Sequence, residues 1–196
     1  ISQREVALTM GFPVNSVMRI LNALEYYGYI DRNDANKKYT LSRKFATMAH
    51  SSANQRTMME ASLDVMRELR DELGETVVIS ILDGNEGLVL EQIQGTHPFR
   101  FVCDPGTRQA IHCSASCKAI LSFTPDDRCE SIVKGLKFEK LTENTISSEK
   151  EFRKELDQVR NAGYALDCAE ALDGVHCVAA PIIDHSGVAI AAVTVT

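Results

Sequence analysis

Gly11-Phe12-Pro13-Val14-Asn15-Ser16-Val17-Met18-Arg19-Ile20-Leu21-Asn22-Ala23-Leu24 is the stretch on which the reading of this chain turns. Pro13 suits the first turn of a helix, where the missing N–H has no partner to lose. Val17, Ile20, Leu21 and Leu24 then recur at helical spacing and define one apolar face. Upstream, Ser2-Gln3-Arg4-Glu5 reads as a capping box for a short helix with Val6, Ala7 and Met10 turned inward, and Gly11 breaks it. Downstream, Gly28 closes the second helix. Tyr29-Ile30, the polar run Asp31 to Asn36, and Lys37 to Leu41 then read as strand, turn and strand. Helix, tight turn, helix and hairpin over residues 1–41 is the pattern of a winged helix-turn-helix without its first helix. Such a reader puts short polar and basic side chains near the start of its second helix, opposite the apolar stripe. Asn15, Ser16 and Arg19 stand there, and Lys37 and Lys38 fall at the wing tip, within reach of phosphates. The alternative for this face is a solvated helical subdomain or a protein-interaction module.

Charge supports the first of these. The chain of 196 residues has a formal net charge of -6, but residues 1–57 hold 8 Lys and Arg against 4 Asp and Glu, and residues 58–196 hold 13 against 23. A basic head on an acidic body fits a nucleic-acid reader joined to a different module. No apolar run approaches the length of a membrane span, and no signal peptide is visible, which places the protein in the cytoplasm as an expectation. With Ile1 in place of Met, the expectation is a fragment or a trimmed sequence. Six cysteines without a CxxC do not make a disulfide scaffold, and they read as reduced thiols, several of them buried.

Behind the head, Ser42 to Arg56 reads as a polar connecting helix, with the linker placed at 42–57. Met58 to Leu73 follows as a helix with Ser62, Met66, Leu69 and Leu73 on one side and Gly74 as its stop. Strands are expected at Thr76–Leu82, Gly87–Ile93 and Phe99–Cys103, then helices near Ser114–Phe123, Asp126–Lys134 and Ser148–Gly163. Tyr164–Cys168, Val175–Ile183 and Val188–Val195 complete the strands. Residues 58–196 are therefore an α+β domain with a mainly antiparallel sheet.

Three clusters in this domain carry possible chemistry. His112-Cys113-Ser114-Ala115-Ser116-Cys117-Lys118 opens a helix with small residues, which can offer free backbone N–H groups to an anion or merely allow close packing. Asp167-Cys168-Ala169-Glu170 is followed closely by Gly174-Val175-His176-Cys177, and alternation places Thr194 and Thr196 on one face of the last strand. A pocket over the sheet could collect Asp167, Cys177, Thr194 and Thr196. Two rivals use the same residues. A thiol enzyme would pair His112 with Cys113 or Cys177 and Asp167. A metal- or redox-linked sensor would use His112, Cys113 and Cys177 as zinc-type ligands, although no close-spaced ligand pair accompanies them. Cys113 and Cys117, four apart on a helix, lie ~5–6 Å apart at Cβ, too far for an ordinary disulfide.

Taken together, these blocks resemble the IclR family of transcriptional regulators over essentially the whole chain. Gly11 to Leu21 is similar to the family's recognition helix, and Leu24, Gly28-Tyr29-Ile30 and Tyr39-Thr40-Leu41 to its wing. Gly74-Glu75-Thr76-Val77, Gly106-Thr107-Arg108 with His112, and Lys118-Ala119-Ile120-Leu121 match in the body. So do Thr142 with Thr145-Ile146, Val159-Arg160 with Gly163-Tyr164, and Asp167 through Pro181. Departures from the family pattern are Cys117 for Gly, Ala110 for Pro, Asn15-Ser16 for Ser-Thr, and Thr194 and Thr196 for Ser. The resemblance implies a GAF-like effector-binding domain, no enzyme activity, and neither cofactor nor metal. It also implies a homodimer or homotetramer on a palindromic DNA operator, acting as a repressor in preference to an activator. The family's first helix and its C-terminal helical segment would lie outside residues 1–196. Carried over by position, the effector, a small organic acid or related metabolite, would meet Ala115, Ser116, Asp167, Cys177, Thr194 and Thr196, with Phe101 and Val175 as apolar wall.

Overall fold

Ser2 caps the first helix as its spacing from Glu5 requires. Its hydroxyl accepts from the Glu5 N–H while the Glu5 carboxylate accepts from the Ser2 N–H. In the computed structural model, which describes residues 1–45 and 53–196, α1 runs Gln3–Met10 and ends at Gly11 in the left-handed conformation. Helix α2 spans Val14–Tyr26 and is followed by an antiparallel hairpin of β1, Ile30–Asn33, and β2, Lys38–Leu41. The first strand extends further than the sequence suggested, and Ile1 and Ser2 add to the hairpin edge through Tyr39 and Lys38. Ala7, Val17, Leu21, Ile30 and Tyr39 form the core of this unit, with Val6 packed on it. The core is narrower than expected: Met10, Ile20 and Leu24 are exposed. With two helices and a two-stranded ribbon there is one layer to bury against, so only the centre of each apolar stripe is covered.

The chain divides into two compact units, Ile1–Ala61 and Ser62–Thr196. The boundary falls within α3, which runs Ala53–Leu73 as one helix rather than starting at Met58. The expected connecting helix over Ser42–Arg56 includes residues 46–52, which lie outside the described residues. Met66 is fully buried, whereas Leu73 is half exposed at the helix end.

The second unit is built on a six-stranded antiparallel sheet in the order β5-β4-β3-β8-β7-β6. Its strands are β3 (Val77–Asp83), β4 (Glu86–Ile93), β5 (Arg108–Gln109), β6 (Ala165–Cys168), β7 (His176–Ile183) and β8 (Ala189–Val195). The expected strand at Phe99–Cys103 is absent among the described residues. Side chains take its backbone bonds instead: Thr76 Oγ1 donates to Phe101 O, and Cys103 N donates to Gln92 Oε1. Pro98 and Pro105 flank the segment and remove ladder donors on either side.

Helix α4, Ala115–Ser122, is buried along its whole length and packs on β7, β8 and β3. Small residues allow the close approach: Ala115 and Ala119 meet Ala165, Ala179, Ala189 and Ala192. Helices α5, Asp126–Gly135, and α6, Glu149–Ala162, supply a second cluster with Cys117, Leu121, Val133 and Phe152. Helix α6 starts and stops where the sequence said, at a capping Ser148 and a left-handed Gly163.

Lys118 on α4 has no exposure at all, and its ammonium is held by both carboxylate oxygens of Glu170 at 2.7 and 2.9 Å and by Glu155 on α6 at 3.2 Å. Removing one partner strands the other charge in the core. Lys118→Ala should therefore cost ~3–5 kcal/mol in urea unfolding. The double change Lys118→Met with Glu170→Leu should recover most of that loss.

Candidate functional site

The β6–β7 connection sets the geometry of the site. Ala169 adopts a left-handed backbone (φ 59°), unusual for a residue with a side chain. The Thr142 hydroxyl fixes it by donating to Ala169 O at 2.7 Å, while the Thr145 hydroxyl donates to Glu170 O at 2.6 Å. The Glu170 N–H turns back onto Asp167 Oδ1 at 2.6 Å. Asp167 is thereby aimed under the connection, and Ala171, Leu172 and Val175 form a rim around it.

This rim closes one side of a cavity of about 270 Å³. All eight residues expected at an effector pocket line it: Phe101, Ala115, Ser116, Asp167, Val175, Cys177, Thr194 and Thr196. The sheet floor contributes Val78 from β3 and Thr194 from β8, and the start of α4 forms another wall. Sequence reasoning missed Cys103, Gln109 and Leu141, which also line the cavity, as do Cys113 and Ser114 from the cluster singled out at the start of the helix. Gln109 had a faint signal in the run Gly106-Thr107-Arg108, but its partner Gly87 lies far away in sequence.

Asp167 is buried, and burial raises its carboxyl above the usual range, opposed by the Glu170 N–H and the Lys118 charge. The Thr196 hydroxyl donates to Cys177 Sγ at 3.3 Å. The Thr194 hydroxyl is buried and has no hydrogen-bond partner among the described residues. Helix α4 likewise has no side-chain cap, although Ser114 occupies its N-cap position. The cavity thus joins apolar walls to polar points at the uncapped helix start, the Asp167 carboxyl and the side chains of Thr107, Arg108, Gln109, Ser114 and Ser116. That composition suits a small polar organic ligand.

The rival readings fare differently. His112 does not line the cavity. Its Nε2 lies 2.9 Å from Glu139 O and its ring meets Phe138 edge-on, so it is a packed core histidine. Burial pushes the Cys113 thiol to about 12 and the Cys177 thiol to about 11, which withholds the thiolate a nucleophile needs. Among the described residues, no group of three or more His, Cys, Asp or Glu side chains could hold a metal ion.

In the first unit, Asn15, Ser16 and Arg19 are exposed on the first turns of α2. Lys37 sits at the hairpin turn with a left-handed backbone (φ 56°), 3.9 Å from Asp34, and Lys38 begins β2; both are exposed.

With this geometry in place, the comparison with known proteins is decisive. The family described as "Bacterial transcriptional regulator IclR C-terminal" matches residues 50–196. The chain belongs to the IclR family. Its curated relatives include the HTH-type transcriptional regulator XynR of Escherichia coli, 29% identical over 192 residues, spanning 98% of this chain and 76% of XynR. Among solved structures, the Thermotoga maritima IclR protein superimposes with a TM-score of 0.71 at 27% identity, covering 100% of this chain and 78% of that one. An IclR homolog from Microbacterium hydrocarbonoxydans, solved in complex with 4-hydroxybenzoate, shares the fold with a TM-score of 0.84 at 19% identity, covering 98% and 79%. The relatives of this IclR-family chain are transcriptional regulators, not enzymes. Among the described residues no helix is long and apolar enough to cross a membrane.

Cys168 is exposed, whereas Cys103, Cys113, Cys117 and Cys129 are buried. Iodoacetamide at mildly alkaline pH should alkylate Cys168 first and leave Cys113 and Cys117 untouched until denaturant is added. Mass spectrometry showing early labelling of Cys113 would contradict the buried, protonated state assigned to it.

Proposed function

We propose that this chain is a ligand-responsive transcription regulator whose cavity takes a small organic acid. The observation that carries this reading is the uncapped, buried start of α4 on a cavity also lined by Thr194, whose buried hydroxyl has no partner among the described residues. Free backbone N–H groups at Ala115 and Ser116, with the positive end of the helix dipole, favour a carboxylate without a buried cation beside it. Thr194 can donate to the same group, and Thr196 stands next to it on the cavity wall. Asp167, on the same cavity, then selects a hydroxyl or amine on the ligand. A volume of about 270 Å³ lies at the bottom of the ~300–1,000 Å³ range of ligand pockets and argues for a compact molecule. A 4-hydroxybenzoate complex in a structural relative is in keeping with this, since that ligand carries a carboxylate at one end and a hydroxyl at the other.

The first unit, in this reading, is a winged helix-turn-helix over residues 1–41. Asn15, Ser16 and Arg19 face base edges in the major groove, and Lys37 and Lys38 meet the backbone. Residues 42–57 form the linker and 58–196 a GAF-like effector domain. The regulator works as a homodimer or homotetramer on a palindromic operator, as a repressor in preference to an activator.

Two measurements test the two halves. A panel of small carboxylates, 4-hydroxybenzoate among them, should raise the thermal midpoint of the chain. A hundredfold excess over the dissociation constant corresponds to about 2.7 kcal/mol. Asp167→Ala should lose that shift while keeping the fold, and absence of any shift across the panel would sink the carboxylate reading. On operator DNA, Arg19→Ala should weaken binding by roughly 1–3 kcal/mol if Arg19 reads a base edge. Unchanged affinity would remove Arg19 from the contact surface.

A further inference from the structure

Serine is among the strongest helix N-caps, because its hydroxyl accepts from the backbone N–H two or three residues on. Ser2 and Ser148 do so: Ser2 accepts from Glu5 N and Ser148 from Glu151 N, both at 3.3 Å and both from extended backbone. Ser114 occupies the same position before α4, with extended backbone as well (φ -99°, ψ 126°), yet it makes no cap bond. Its hydroxyl is turned elsewhere. Ser114 Oγ lies 2.9 Å from Ser116 Oγ, Ser116 Oγ donates to Gln109 Oε1 at 3.0 Å, and Ser114 Oγ reaches the same oxygen at 3.4 Å.

We propose that Gln109 is a positioning residue of the ligand site: its amide oxygen draws the Ser114 and Ser116 hydroxyls into a relay away from the backbone, and so keeps the start of α4 open for a ligand carboxylate. This rests on the reading of the cavity given above and adds to it the device that keeps the anion subsite vacant of the protein's own cap. Gln109 is fixed by the sheet. It stands on the short edge strand β5, paired with Gly87 on β4. A side chain at Gly87 would run into Cys117 Sγ and press on Gln109 Cβ and Oε1 at 3.2 Å, so glycine there admits both α4 and the glutamine. An observation independent of the helix start also points to a ligand: Thr194, 7% exposed, lines the same cavity and its buried hydroxyl has no partner among the described residues.

The consequence is an unusual sign of effect. Without its acceptor the relay relaxes, Ser114 is free to cap α4, and the protein competes with its own ligand. The test uses the whole chain, labelled for amide NMR, with acetate as the carboxylate probe. In Gln109→Met without ligand, the Ser116 and Cys117 amides should exchange several-fold more slowly than in the wild type, and acetate should bind about five- to tenfold more weakly, the worth of a serine cap. Adding Ser114→Ala removes the competing cap and should restore acetate affinity to within about twofold of wild type. Gln109→Ala, at the sheet edge, carries the same expectation should Gln109→Met fold poorly. Unchanged exchange at Ser116 and Cys117, or a double variant as weak as the single one, overturns the role of Gln109. If acetate leaves the wild-type Ala115 to Cys117 amides unmoved while the single variant still gains protection, the carboxylate reading falls and takes the ligand half of this proposal with it.

Discussion

A fully buried ammonium organises the second unit. Lys118 sits in the middle of α4, with Glu170 from the β6–β7 connection gripping it through both oxygens and Glu155 from α6 closing on the third side. A charge in that place is tolerated only with partners at hydrogen-bond distance, so three separate segments must arrive together. The pair is a demand on geometry more than a source of stability. It forces the β6–β7 connection down onto α4, and that connection carries Asp167, Ala171, Leu172 and Val175 to the rim of the cavity.

Packing of small residues supplies the complementary constraint. Ala115 and Ala119 let α4 rest directly on the alanines of β7 and β8, which puts the helix start against the end of β8 where Thr194 and Thr196 project. Larger side chains on either surface would lift the helix and separate the N–H groups of its first turn from the threonine hydroxyls. The same closeness buries the thiols of Cys113 and Cys117 and raises both, so the cysteines around the site act as apolar filling rather than as nucleophiles.

Much of this was readable along the chain because it is local. The caps at Ser2 and Ser148, the stops at Gly11 and Gly163, and the alternation that sets Thr194 and Thr196 on one face at the end of β8 are each decided within a few residues. The eight residues expected at the pocket line one cavity, but Phe101 was grouped with the rest only through family resemblance, since no local signal links it to them. The failures have a common cause. Phe99–Cys103 has strand composition, but Thr76 and Gln92 satisfy its backbone from elsewhere. Met10, Ile20 and Leu24 lie on an apolar stripe, but the first unit has too few layers to cover it. His112 looked chemically poised until Glu139 O and Phe138 occupied it.

The sequence by itself determined the basic head and acidic body, the order of the helices and of every strand but β5, and the small-residue start of α4, because charge, periodicity and capping act over neighbouring positions. Tertiary structure alone decided which of the polar groups remain unspent. Ser114 makes no cap bond while its hydroxyl lies within hydrogen-bond reach of Gln109 on β5, and the buried Thr194 hydroxyl has no partner among the described residues. Those facts depend on contacts between segments far apart in the chain. No single segment encodes them.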